Sequence, residues 1–428
     1  MNFPVWDIPF LGGGLLIAII AILHTFIAQF AIGGGLFLVL TEKKAYRESD
    51  ERILQYIRGH ALFFILLTLV LGALTGVGIW FSIGLVHPSG TSALIHAFVW
   101  GWAIEWVFFL VEVTAAFVYF YAWDRLDRKT HLTVGWIYFG AAWLSLFVIN
   151  GILAFMLTPG KWLETRNFWL GFFNPTYFPS LFLRTLVTLS LAGLYALVTS
   201  SLLEPPDLRA KMVRYSARWL APAFFLMPIG LIWYLFKVPE ESRHIILGGA
   251  PAVTVFVVLS LIFSVIIFLF TFLGPYRQPE GFALPFAVLI LILGFMVTGT
   301  TEWVREAIRK PYIISGYMYS NAILVGEETE IDQAGILKKA KWVSNKEVIP
   351  GKELEVGREI FRVECQSCHT ILGYNGIAPL VRGWNEEFMD QQLQSLKTLK
   401  GFMPRFVGKE AERKALARWL SSLNPIQP

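Results

Sequence analysis

The sequence predicts an all-α protein: a polytopic membrane bundle of about eight spans, followed by a small soluble α-helical domain. Three observations carry that prediction. Apolar residues make up 55% of the chain and charged residues 16%, well under the ~25% charge of a soluble domain. The apolar residues gather into runs long enough to cross a bilayer, which takes about 20 residues. From about Pro311 the composition turns polar, and only there do the two cysteines, Cys365 and Cys368, occur. The net charge of +5 is modest, and no Lys/Arg stripe with interleaved aromatics suggests nucleic acid.

The opening stretch MNFPVWDIPF has no basic region ahead of its apolar run, so that run reads as a span and not as a cleaved leader. Spans are predicted to begin near Gly14, His60, Ala93, Thr133, Phe178, Trp219, Pro251 and Phe282. Loop charge sets their direction, because Lys and Arg near helix ends stay in the cytoplasm. Lys43, Lys44, Arg47, Arg52 and Arg58 follow the first span, and Arg125, Arg128 and Lys129 the third. Arg209, Lys211, Arg214 and Arg218 follow the fifth and Arg277 the seventh, whereas the alternate loops carry only Lys161, Arg166, Lys237 and Arg243. This bias places both termini outside, on the periplasmic side of a bacterial inner membrane, with lipid around the bundle.

Residues 1–310 thus read as the membrane domain, 311–350 (with GEETEID and KKAKW) as a linker or docking segment, and 351–428 as the soluble domain. In VECQSCHTILGYNGIAPL, Cys365, Cys368 and His369 form the c-type haem attachment pattern. Two thiols bond the haem vinyl groups and the adjacent imidazole ligates the iron. The alternative for two spaced cysteines is a metal or redox pair. Such haem is attached on the outer side, where an even number of spans from an outside N-terminus delivers the tail. A covalent haem also supplies apolar interior that so small a domain lacks.

Ionisable residues inside a bilayer are costly and mark function by default. His24 lies in the first span, Glu105 and Glu112 in the third, Arg184 in the fifth, and Glu306 and Arg309 at the outer end of the eighth. Glu105 and Glu112 are two helical turns apart and share one face. His24, Glu105, Arg184 and Glu306 fall at similar depth in the outer half, which favours a buried polar site or haem pocket over a lone core histidine. Glu112 is deeper and suits a proton path. His60, His87, His96, His131 and His244 sit at span ends or in loops and read as solvated or interfacial, with His96 in reserve as a ligand.

The C-terminal segment resembles a mono-haem class I cytochrome c over its full length. GREIFRVECQSCH is similar to that family's first helix and haem motif, GIAPL to its following loop, and GFMPRFVGKEAERKALARWLSSL to its Met-ligand loop and last helix. The resemblance implies Met403 as the sixth ligand opposite His369, Met389 being the other methionine of the domain. A thioether ligand raises the reduction potential, which suits an electron carrier.

The membrane part, over about residues 10–315, resembles subunit I of cytochrome bd quinol oxidase. LHTFIAQFAIGGG is similar to the family's helix with a haem-ligating histidine, which implies that role for His24. Glu105 and Glu112, followed by YAWDRLDRKTH, resemble its carboxylate-bearing third helix and imply catalytic roles. EAIRKPY resembles the closing E-x-G-R-Q-P-W, implying Glu306 as a carboxylate ligand of haem iron with Arg309 beside it; Ile308, Lys310 and Tyr312 depart from that pattern. Two further departures matter. Arg184 stands where the family places a fifth-helix histidine ligand of its low-spin b haem. A permanent cation is a poor iron ligand, so Arg184 is expected to pair with a haem propionate or with Glu306. The family's long quinol-binding outer loop is replaced by the short KVPEESRHIILGGA.

The resemblance therefore implies one covalent haem c and one or two b-type haems, with haem d a further option. It implies electron exchange between a periplasmic c haem and b haems in the outer half of the membrane, in a bd-like terminal reductase of O2 or NO fed by a periplasmic cytochrome. The alternative is an electron-transfer subunit of a larger respiratory complex, linking quinone or a partner haem to the periplasm. Expected partners are a second bd-like membrane subunit or that larger complex, a periplasmic cytochrome, and quinone as a further candidate.

Overall fold

The computed structural model describes residues 3–399 and 401–424. Among them, eight helices are long and apolar enough to cross a membrane. In chain order these spans are Gly12–Glu48, Glu51–Val86, Val99–Tyr121, Arg128–Phe155, Tyr177–Ser201, Pro206–Lys237, Pro251–Tyr276 and Leu284–Ala307. The second starts ahead of the predicted His60 because hydropathy marks the apolar window, not the helix. Its charged first turns are helical, and the Asp50 carboxylate caps them by accepting the Arg52 N–H at 3.1 Å.

The first span is the hub, packed against the second, fourth, fifth and eighth. Its Gly33-Gly34-Gly35 run makes this close packing feasible. A Cβ on Gly33 would sit 1.9 Å from the Thr188 carbonyl oxygen, and one on Gly35 would sit 2.2 Å from the Tyr138 ring. Small residues of this kind let helix backbones approach in lipid. The sixth and seventh spans instead present stripes such as Phe225, Ile229, Ile232 and Phe236, or Val255, Val258, Leu261 and Val265, to the outside.

At the end away from the soluble domain, ion pairs fasten the spans. Lys211 meets Glu48 at 2.9 Å and Asp50 at 3.0 Å, Arg52 meets Asp207 at 2.8 Å, and Arg58 meets Asp124 at 2.5 Å.

The soluble domain is built on helices Glu353–Glu364, Glu386–Gln394 and Glu410–Ser421. The first and last cross so closely that a Cβ on Gly357 would lie 2.2 Å from the Ala415 carbonyl. Val356, Ile360, Phe361, Leu416, Trp419 and Leu420 fill the space between the elements.

The 311–350 segment is not a free linker. Its Tyr319, Ile323, Ile331, Ile336 and Leu337 belong to the same core. Its acidic residues, which suggested a solvated linker, are engaged: Arg405 meets Glu328 at 3.1 Å and Asp332 at 2.8 Å. The segment starts as a two-stranded hairpin, Tyr312–Ile314 antiparallel to Met318–Tyr319. The Ser315 N–H donates to the Met156 carbonyl at 3.0 Å, seating the hairpin on the end of the fourth span. Tyr317 packs on Trp162, and the Arg166 guanidinium lies 4.3 Å from the Trp162 ring and 4.7 Å from the Tyr317 ring.

Candidate functional site

Helix Glu353–Glu364 ends at the first cysteine. The chain then turns tightly, with the Cys368 and His369 N–H groups both donating to the Cys365 carbonyl, at 3.1 and 2.9 Å. The two thiols are free and half-buried. His369 Nδ1 lies 3.0 Å from the Asn375 carbonyl, which only accepts, so Nδ1 carries the proton and Nε2 is left as a ligand. Asn375 adopts φ 51° and its side-chain amide donates back to the Cys368 carbonyl at 2.8 Å. Burial lowers the His369 pKa, which favours the neutral imidazole that iron requires. This donor set fits a covalently attached haem.

In the bundle, His24 Nδ1 lies 3.2 Å from Thr75 Oγ1. That hydroxyl donates to the Leu71 carbonyl at 2.7 Å or the Gly72 carbonyl at 3.1 Å, so its lone pair accepts the His24 Nδ1–H. His24 Nε2 is therefore also in the form that ligates iron. Gly76 makes room for the ring, since a Cβ there would be 3.1 Å from His24 Cε1. Ser145 donates to Glu105 at 2.9 Å, and the Tyr138 hydroxyl lies 3.1 Å from Glu112 and 3.0 Å from the Ala31 carbonyl. Glu306 is held by Arg309 and by Lys310, the latter at 3.3 Å. Arg309, 4% exposed, also donates to Met156 Sδ at 3.3 Å.

One cavity of about 2270 Å³ is lined by both sets: Cys365, Cys368, His369 and Met403 of the soluble domain, and His24, Glu105, Glu112, Arg184, Glu306 and Arg309 of the bundle. Ordinary ligand sites hold roughly 300–1,000 Å³, so the space suits more than one large cofactor. Met389 touches this cavity too but is 1% exposed within the domain core.

Other expectations are revised. Arg184 pairs with Glu302, at 4.0 Å, and not with Glu306. Glu302 also takes Arg305 at 2.7 Å; both line the cavity, and sequence reading missed both. His96 is exposed, bonded to the Ser92 carbonyl at 2.7 Å, and is not among the cavity-lining residues. His60 and His131 are not solvated but 1% and 2% exposed. His60 meets Thr199 at 2.8 Å within a box of aromatic rings. His131 Nε2 donates to the Tyr119 carbonyl, while its Nδ1 meets the Glu42 carboxylate, each at 2.8 Å; Tyr119 donates to Glu42 at 2.7 Å. His87 is half-buried, its Nε2 donating to the Ser320 carbonyl at 2.7 Å.

Residues 15–238 match the family model for cytochrome bd terminal oxidase subunit I, and residues 352–420 match that for cbb3-type cytochrome c oxidase subunit III. Among solved structures, the chain is similar to the bd oxidase from Geobacillus thermodenitrificans, with a TM-score of 0.59 and 16% identity. That likeness covers 74% of this chain and 90% of the other. No curated protein matches the chain.

Proposed function

This chain belongs to the cytochrome bd terminal oxidase subunit I family and carries a C-terminal cytochrome c domain, and we propose that it is a terminal reductase of O2 or NO fed through that domain. Haem electron transfer in a multi-pass membrane protein follows from the family and the eight spans. The finer reading rests on one observation: the C-x-x-C-H motif and the intramembrane His24, Glu105, Glu112 and Glu306 line the same cavity.

On this reading Cys365 and Cys368 would hold a haem c covalently, and His369 and Met403 would ligate its iron. His24 and Glu306 hold b-type haem in the outer half of the membrane. These groups supply one-electron iron chemistry; the rest falls to the chain. Thr75 fixes the His24 ring, and Arg309 and Lys310 fix the Glu306 carboxylate. Arg184, Arg305 and Arg309 offer charge-assisted donors to cofactor carboxylates.

Each electron delivered to oxygen also needs a proton. Glu112 is bonded to Tyr138, and a void of about 10 Å³ lies between Tyr138 and Tyr119. Its lining is apolar, so it is a packing gap and offers a water no hydrogen-bond partners. Beyond it stands the hydrogen-bonded Tyr119–Glu42–His131 group. We assign Glu112, bonded to Tyr138, to a proton path, with Glu105 two turns away on the same helix face. The soluble domain and both termini face the periplasm, where a soluble cytochrome is the donor, and a second bd-like membrane subunit completes the assembly.

Stopped-flow mixing decides the reading. A reduced soluble cytochrome should reduce the b haems rapidly, Met403→Ala should slow this, and short-chain quinol should be a poor donor. Fast b-haem reduction by quinol that is indifferent to Met403→Ala would overturn the proposal. Pigment extraction of the same preparation counts c, b and d haems.

A further inference from the structure

The C-x-x-C-H motif is tied on both sides to segments that are themselves bonded to the membrane part. Directly before it, the Glu364 carbonyl accepts the Asn321 side-chain amide at 3.4 Å. The neighbouring Ser320 is tied to the bundle. Its carbonyl accepts from His87 Nε2 at 2.7 Å, and its hydroxyl lies 3.2 Å from Lys310 Nζ and donates to the Pro311 carbonyl at 3.0 Å. Lys310 continues to Glu306 at 3.3 Å.

Directly after the motif, the Tyr374 N–H donates to the Phe10 carbonyl at 2.8 Å. A Cβ on Gly373 would lie 2.0 Å from that same oxygen, so only glycine fits. The segment bearing Phe10 is itself fixed, because the Trp6 N–H donates to the Leu85 carbonyl at 2.9 Å near the end of the second span.

We propose that these two contacts form a clamp that keeps the C-x-x-C-H motif permanently over the membrane cavity, with Asn321 and Gly373 as positioning residues for electron transfer into the bundle. This rests on the reading that the soluble domain feeds the bundle. One tether leaves a small domain free to rotate. Two anchors at either end of residues 364–374 fix its direction as well as its distance. The hairpin gives no slack, since Tyr319, Ile323 and Ile331 run straight into the soluble core. The domain is therefore a fixed wire and not a swinging carrier, and an external donor must dock on a face turned away from the bundle. The step is one electron, leaving iron held by His369 and reducing iron held in the bundle; no bond to protein forms or breaks.

The test uses full-length, haem-loaded protein carrying Asn321→Ala, Gly373→Ala or both, with Gly326→Ala as control, because nothing lies within 4 Å of that position. Amide hydrogen exchange over residues 3–11 and 312–324 should speed up in the clamp variants and not in the control. After mixing with a reduced soluble cytochrome, c-haem reduction should keep its rate, while the following b-haem phase slows severalfold in each variant and more in the double. Faster exchange with an unchanged b-haem phase would overturn the clamp as a determinant of transfer, and unchanged exchange would overturn it as a contact. If parent protein shows no b-haem phase after the c-haem phase, the functional reading fails, while exchange still reports on the clamp.

Discussion

Glu412→Ala measures whether the 311–350 segment is part of the soluble domain's fold. The Glu412 side chain is 4% exposed and accepts three backbone N–H groups: Ile336 at 3.0 Å, Leu337 at 3.0 Å and Lys409 at 2.8 Å. One carboxylate thus staples the docking segment to the start of the last helix. Alanine removes every acceptor and leaves the three donors in a dry site. An unsatisfied buried donor costs roughly 1–3 kcal/mol, so three donors at the lower half of that range already give about 3–6 kcal/mol. Domains have only ~5–15 kcal/mol in total. For a domain of this size ~1 kcal/mol shifts Tm by about 4–8 °C, so a drop on the order of 20 °C is expected. Glu412→Gln keeps one carbonyl acceptor and should lose about half as much. The assay is thermal melting followed at the c-haem absorption, with protease cleavage between Val325 and Asn345 as a second readout. An alanine variant melting within a few degrees of the parent would refute the reasoning. So would selective cleavage of the segment with the haem domain's melt unchanged, which would return the segment to linker status.

Three further outcomes are expected. His24→Ala should remove b-type absorbance and leave the c haem in place; an unchanged b signal would exclude His24 as its ligand. Met403→Ala should lower the c-haem potential and abolish the methionine–iron near-infrared band. Met389→Ala should keep the band and instead cost about 2–5 kcal/mol, as buried Met→Ala changes do; the reverse pattern would exchange the two assignments. Burial raises the Glu364 carboxyl well above its ordinary value of 4.5, so the folded domain keeps a proton that the unfolded chain releases. Stability is then fully present below pH 4.5 and lost as pH rises towards the folded value. Glu364→Gln should flatten this decline in a pH series of melts, and an equally steep decline in the variant would exclude Glu364 as its source.

What could be read from the sequence was whatever is local along the chain. Span existence follows from apolar length, and the haem motif from residues within one turn of each other. Met403 could be placed by resemblance and lies on the cavity wall with His369. What could not be read is set by contact between distant segments. His131 sits at a helix start full of charge, and only Glu42 of the first span and Tyr119 of the third make it buried and paired. Thr75 carries no signal until His24 is seen against it. In the docking segment, the high charge of GEETEID concealed an inward face of isolated apolar residues, Ile323, Ile331 and Ile336. Glu302 and Arg305 were within reach, since TTEWVREAIRKPY puts Glu302, Arg305, Glu306 and Arg309 at helical spacing of three and four.

On the proposed reading, Arg184 is a changed side chain that redirects the outer half of the bundle. Its side chain is 13% exposed, and Glu302, its carboxylate partner at 4.0 Å, is shared with Arg305. Glu306 is likewise shared by Arg309 and Lys310. Glu302 and Glu306 thus sit among four cations, with Glu240 and Glu241 also on the cavity lining, and an arginine cannot shed its charge. A cation withdrawn from water without full compensation costs several kcal/mol, so this cluster of cations suits an anionic complement inside the cavity. The carboxylates of a haem supply one; a quinone ring or a lipid tail does not. On the proposed reading, the fifth span has therefore exchanged an iron ligand for a charge that holds propionates. Iron ligation in the outer half is left to His24 and Glu306, and electrons arrive from the C-x-x-C-H motif that shares their cavity.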